Sequence, residues 1–342
     1  MSSFSSTLRG RGASGILLDR YCARRSSPIV LYHATFRDVP PDLDSGLHNV
    51  EPDVLIEQIR WLQRSYEIIH IDEWFQRGGP LGTACVTFDD AYRSIADEAI
   101  PRLIEMDVPS TVFINGVTFE GDVLWRDKVH FLISNGHVKD FLGSPIAVRA
   151  GLFEISPPAF YNETKRPQRN SRVVDEAITE FLASADLLDR LQRFAMDQRV
   201  EMIEHPLVRY GSHTYRHYLP SSLTAEEFRA ELAENERVLD ELEVNRSRVF
   251  SIPFGGEDSV DEATIGVLAE FGFTGILYSR NAANFASGSW CGAMVAGERY
   301  MAPSTLAEFR IRHRRLSVMP PDAAIRRMGR RSIRLVRRRP AG

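Results

Sequence analysis

The chain has 342 residues, 43% apolar and 26% charged, enough to bury a sizeable core and to exclude collagenous, mucin-like and wholly disordered classes. Its formal charge of −4 divides unevenly: residues 310–342 hold 12 Arg and one acid, Asp322, for +11, and the remainder carries −15, 30 basic residues against 45 acidic ones. An acidic body argues against nucleic acid as a partner, because neutralising phosphates needs a basic face.

In chain order, residues 1–27 lack periodicity and read as a flexible leader; Ile16-Leu17-Leu18 is too short for a signal-peptide core. Short apolar runs then alternate with segments of helical period. Ile29–Tyr32, Ile68–Ile71, Cys85–Phe88 and Thr111–Ile114 read as buried parallel strands, with Val54, Ile59 and Leu62, then Ile95, Ala99 and Leu103, on intervening helix faces. The pattern lapses over about 119–205, an insertion with helical segments around Lys128–Ser134 and Val173–Arg199. Strands resume at Leu207–Tyr210, Val249–Ile252 and Gly275–Tyr278, and Thr224 with Glu227 forms a capping box ahead of a helix reaching Leu242. Repeated strand and helix mean an α/β sheet or barrel with its site at the carboxyl ends of the strands. Cys22, Cys85 and Cys291 form no CxxC pair, so a reducing, cytoplasmic setting is expected. No stretch approaches the roughly 18 apolar residues of a spanning helix.

Three segments put ligand-type residues after a strand. Thr87-Phe88-Asp89-Asp90 ends in two carboxylates, whose neighbouring side chains on extended backbone diverge and so suit two different tasks. Taken alone, it is equally a strand-to-helix turn with Asp90 as N-cap. His213 and His217 in Gly211–His217 stand at i and i+4, one helical turn apart, and neutral imidazole is a common metal ligand. Val249–Gly256 leads into a Pro253-Phe254-Gly255 loop that can aim a backbone N–H at a developing oxyanion. One carboxylate and two imidazoles with open positions are a set used in metal-assisted hydrolysis.

TFDD, then HTxxH, then a strand ending in PFG resembles the polysaccharide deacetylase family, the NodB homology domain of carbohydrate esterase family 4, over about 200 residues, mainly 28–118 and 207–320. The resemblance implies an irregular (β/α)7-type barrel over 28–320 with parallel strands and a mainly helical insertion. It implies a hydrolase that removes an N-acetyl group from an amino sugar in a polysaccharide, oligosaccharide or lipid-linked glycan precursor. Asp89 is then the base, and Asp90, His213 and His217 hold a divalent ion, zinc first and cobalt or another ion as alternatives. Phe254, flanked by Pro253 and Gly255, lends its N–H to the tetrahedral intermediate.

The sequence also departs from the family. The late Leu-x-His motif that supplies the acid is missing, and His33 after the first strand is preferred to His313, which sits in a segment read as the closing strand, Phe309–Val318. Ser251 stands where an Arg orients the base, and Ala91 where Gly is usual. These departures motivate one alternative, a carbohydrate-binding relative without turnover; a second, a deacylase of a non-sugar amide, stands because the motifs describe the carbonyl chemistry and not the rest of the substrate. Trp125 is read as core rather than as a sugar platform. The basic tail, 321–342, carries Ile325, Met328, Leu335 and Val336 among arginines, a pattern for peripheral contact with anionic lipid that is matched by a solvated tail.

Overall fold

The computed structural model describes residues 15–44, 46–285, 289–291 (backbone only) and 294–318. Nine strands form one sheet: β1 (Ile29–Tyr32), β2 (Glu67–Ile68), β3 (Thr83–Phe88), β4 (Ser110–Ile114), β5 (Val208–Ser212), β6 (Arg246–Ser251), β7 (Gly275–Tyr278), β8 (Ser289–Cys291) and β9 (Met294–Met301). Seven of them close a parallel barrel in the order β1-β3-β4-β5-β6-β7-β9, and β9 returns to β1 with Ile29 opposite Arg299. β2 adds to β3, and β8 pairs antiparallel with β9. The expected seven-stranded (β/α) barrel is the observed architecture.

The barrel is filled, not hollow. Ile29, Cys85, Phe113, Val249 and Leu277 form a buried cluster that Phe75 and Trp74 join from the helix Ile71–Gln76. Two glycines make room for rings: a Cβ on Gly211 would lie 2.7 Å from the Phe113 ring, and one on Gly275 2.4 Å from Phe75. Helices Pro52–Gln63, Ile100–Glu105 and Leu306–Val318 cover part of the outside, and Ala225–Glu241 and Glu262–Glu270 cover the rest. The Thr224 capping box forms as the sequence indicates. The insertion between β4 and β5 is helical, with Trp125–Ser134, Ser171–Ser184 and three shorter helices around a core of their own.

Four expectations change. The strand at 68–71 ends at Ile68, because Ile71 opens a helix whose Ile71, Trp74 and Phe75 turn inward. The expected closing strand at 309–318 is the helix Leu306–Val318: Phe309, His313 and Ser317 are buried at four-residue spacing while Ile311 is 66% exposed. β9 closes the barrel instead. Residues 15–23 of the expected leader are helical and packed, with Cys22 buried and Asp19 bound to Arg314 at 2.7 Å. The helix expected over Val173–Arg199 stops at Ser184. Among the described residues no helix is long and apolar enough to cross a membrane. The basic tail 321–342 lies outside the described residues.

Candidate active site

The three motif segments meet at the carboxyl end of the barrel. Asp90 Oδ1 lies 3.3 Å from His217 Nε2 and 3.5 Å from His213 Nε2. These separations match the roughly 3.3 Å edge of a tetrahedron whose bonds are about 2.0–2.1 Å long, the geometry of a zinc ion with nitrogen and oxygen ligands. All three residues are buried and offer one ligand atom each within 4.8 Å of one another.

The donors also fit an ion chemically. Asp90 Oδ1 is buried and accepts no hydrogen bond. Burial, and then the charges of Asp89 and Asp127, push its carboxyl well above the usual range, a cost that a cation relieves. Burial lowers both imidazoles, and repulsion from His213 takes His217 further down, so both are neutral and able to ligate. His213 Nδ1–H donates to the Ser251 carbonyl at 2.8 Å, which leaves Nε2 free for the ion.

The loops that carry these residues are strained, and hydrogen bonds hold them. Asp90, Ala91, Thr214, His217 and Phe254 all have positive φ, between 49° and 66°. His213 and His217 therefore sit on a tight loop, not on the helical turn their spacing suggests. Asn115 donates to the carbonyls of His213 (2.6 Å) and Thr214 (2.8 Å), and the Trp125 indole donates to that of His217 (2.8 Å). Trp125 is 1% exposed, so it is a buried support for a ligand and offers no face to a sugar. Ala91, at φ 49°, occupies a conformation that costs an L-residue about 1–2 kcal/mol, which explains why Gly suits this position.

Asp89 continues the inward side of β3 and has the partner that the sequence reading missed. Arg299 on β9 grips it with Nη1 on Oδ1 and Nη2 on Oδ2, both at 2.8 Å, and the Ser251 hydroxyl donates to Oδ1 at 2.9 Å. Arg299 Nη2 also reaches Ser251 Oγ (2.9 Å) and Ser279 Oγ (2.8 Å), so its guanidinium fills the space beside Ser251. Burial works to raise the Asp89 carboxyl, but the Arg299 charge, with His213, holds it well below the ordinary range. The available signal was Met294–Met301, where residue alternation puts a charged Arg299 on the same side as Gly297.

His33, half-buried after β1, faces this site electrostatically, with Asp89, Arg299 and His213 all acting on it. Its Nδ1 is 3.0 Å from His48 Nδ1, and His48 Nε2 is 2.7 Å from the Ala302 carbonyl. The network assigns the tautomers: His48 donates to Ala302, His33 donates to His48, and His33 Nε2 stays free. Burial and then His48 lower His33 to about 3, so it is neutral at rest.

His313 is not brought to the site. Its ring nitrogens engage Tyr66 (2.9 Å) and Tyr300 (3.1 Å), and its ring lies edge-on to Trp61. One turn further on, Ser317 bonds Ser26, which precedes β1, so the helix has descended toward the amino ends of the strands. His313 is a core residue of the outer layer.

Pro253, Phe254 and Gly255 form the expected loop after β6. Gly255 has φ 53°, and a Cβ there would meet the Ser279 nitrogen at 2.5 Å. The Phe254 ring packs edge-on to His217 at 4.8 Å. Among the described residues its N–H has no hydrogen-bond partner.

Residues 159–276 match the family model described as polysaccharide deacetylase. That span contains His213, His217 and the Pro253–Gly255 loop; the fold brings Asp89 and Asp90 to it. Two solved structures share the fold with a TM-score of 0.50 and 14% identity each. One is the Streptococcus pyogenes deacetylase PplD in complex with acetate, over 86% of this chain and 99% of that one. The other is a polysaccharide deacetylase from Bacillus cereus, over 84% and 69%. A search of curated protein sequences finds no match.

Proposed function

We propose that the chain is a member of the polysaccharide deacetylase family, whose members are carbohydrate N-deacetylases, and that it hydrolyses the N-acetyl group of an amino sugar in a glycan or lipid-linked glycan precursor, with metal help. The observation that carries this reading is the Asp90–His213–His217 set standing beside an Arg299-clamped Asp89. Asp90, His213 and His217 would hold a divalent ion, zinc on its ligand preference, which when bound would supply a Lewis acid for the acetyl carbonyl and acidity to the attacking water.

Asp89 is ionised at any working pH because Arg299 holds it so, and it takes the proton of the attacking water. It is a weak base for that reason, and the acidity of the water offsets the weakness. The free Phe254 N–H donates to the oxygen that gains charge as the carbonyl becomes tetrahedral. His33, neutral and with Nε2 free, receives the proton and passes it to the departing sugar nitrogen; acetate is the co-product. His48 fixes the tautomer that makes this transfer available.

Arg299 takes away the main reason for reading the chain as a binder without turnover, which rested on Ser251 in place of Arg. Buried, unpaired Cys22 and Cys85 suit a reducing cytoplasm. The tail 321–342, with eight Arg and one acid, suits contact with an anionic membrane surface. The test is acetate release from N-acetylhexosamine substrates: we expect chelation to abolish it and Zn²⁺ or Co²⁺ to restore it. Release unaffected by complete chelation would contradict the reading.

A further inference from the structure

The insertion places two cations beside the catalytic loop and gives neither an acidic partner. Arg126 is 6% exposed, and its guanidinium donates to Thr164 Oγ1 at 3.0 Å and to the Tyr161 carbonyl at 3.2 Å. Its Nε is buried without a hydrogen bond, and it forms no ion pair among the described residues. Aromatic faces surround it instead: its Cζ is 4.4 Å from the Tyr161 ring centroid, 4.6 Å from Trp125 and 5.6 Å from Phe254. Lys165 approaches the same rings, with Nζ 4.3 Å from Tyr161 and 5.9 Å from Phe254, and it too forms no ion pair among the described residues.

Two like charges converging on shared rings repel, and a desolvated guanidinium without an anion is costly. Cation–π contacts return only about 0.5–2 kcal/mol each. Burial and then the Arg126 charge push Lys165 down to about 8, a measure of that crowding. Nearby titratable groups act on Arg126 and Lys165 without forming an ion pair with either among the described residues. Asp127 has its carboxyl tied to the Tyr92 hydroxyl and raised by burial to about 7. Asp90 feels Arg126 but is committed to the metal set. His130 is lowered to about 4 by burial, then by Arg126 and Lys165, and stays neutral. The position is informative as well: both cations lie against the Phe254 ring, which itself packs on the metal-ligating His217.

We propose that Arg126 and Lys165 form an anion subsite that receives a phosphate or carboxylate carried by the acetylated sugar, so that the substrate class is an anionic amino sugar and not a neutral chitin-like chain. A planar guanidinium with an unused N–H and a part-buried ammonium are a pairing suited to either oxyanion. The inference rests on the N-deacetylase reading for the location of the sugar, and its test is chosen to be read without turnover.

The experiment is calorimetric binding to the zinc-loaded full chain in an Asp89→Asn background. The probes are a neutral methyl glycoside of N-acetylglucosamine, N-acetylglucosamine 1-phosphate and N-acetylmuramic acid. At least one anionic probe is expected to bind tenfold or more tightly than the neutral one; which one does so tells a glycosyl phosphate from a sugar carboxylate. Lys165→Gln should reduce that preference at least fivefold, while Lys139→Gln, at an exposed site, keeps it. Equal or undetectable binding of all three probes overturns the subsite, as does a preference that survives both Lys165→Gln and Arg126→Gln. Absence of acetate release from the wild type, with the anion preference intact, would count against the proposed function and leave the subsite standing.

Discussion

Replacing Arg299 by Gln removes one partner of a pair that is enclosed on both sides, with exposures of 0% for Arg299 and 2% for Asp89. Two 2.8 Å charge-assisted bonds to Asp89 are lost, and the Ser251 hydroxyl is left as its remaining hydrogen bond. Breaking a buried pair from one side costs about 3–5 kcal/mol, because the surviving charge stays desolvated. With an unfolding entropy of about 2.1 cal/mol/K per residue over about 300 ordered residues, this corresponds to a Tm lowered by about 5–8 °C. The pH dependence changes sign. In the wild type the Asp89 carboxyl is depressed, so its stabilising contribution is present above the unfolded value near 3.8 and is lost as pH falls toward the folded one. Without Arg299, burial dominates and raises the carboxyl, so the variant is penalised as pH rises above 3.8. The two Tm curves therefore converge toward acid pH, and the acid limb of kcat/KM moves up. The assay is thermal unfolding of wild type, Arg299→Gln, Asp89→Asn and the double variant between about pH 4 and pH 8. A wild-type Tm for Arg299→Gln at pH 7, or a coupling energy near zero in the cycle, would refute the role given to Arg299.

His313→Gln should lower stability by about 1–3 kcal/mol through the Tyr66 and Tyr300 hydroxyls, and leave kcat as it is; a specific loss of kcat would return His313 to the chemistry. Its wild-type pKa of about 4, lowered mainly by burial, also gives stability that is complete above pH 6.5 and falls from there toward pH 4; denaturant titration should show up to about 3 kcal/mol less of this loss in the variant. His48→Ala should lower kcat about tenfold or more with little change in KM, since it frees the His33 tautomer, whereas His33→Ala should cost about 10²–10⁴; an effect of His48→Ala on KM alone would be incompatible with this. Deleting 321–342 should weaken binding to anionic vesicles at low salt, as read by sedimentation, and spare acetate release from a soluble substrate.

What could be read in the sequence was local. Asp89-Asp90, His213 and His217, and Pro253-Phe254-Gly255 each follow a strand directly, so strand recognition also located the mouth of the barrel. Arg299 lies 210 residues from the carboxylate it grips, and only closure of β9 onto β1 brings them together. Ser251 looked like a lost Arg because the guanidinium comes from another strand and fills the same space. The segment 309–318 misled because its apolar residues fit alternation as readily as a helix face, and burial of Phe309, His313 and Ser317 decides between them. The His213–His217 spacing picked out two imidazoles that the fold gathers with Asp90, but not their backbone, since positive φ at Thr214 and His217 replaces a helical turn.

The most direct measurement compares wild type with Asp89→Asn after chelation and titration back with zinc, counting bound metal and released acetate in the same samples. Both proteins should bind one zinc per chain through Asp90, His213 and His217, and only the wild type should release acetate from an N-acetylated sugar. Acetate release by Asp89→Asn at the wild-type rate, or full release by metal-free wild type, would contradict the assignment of base and metal centre.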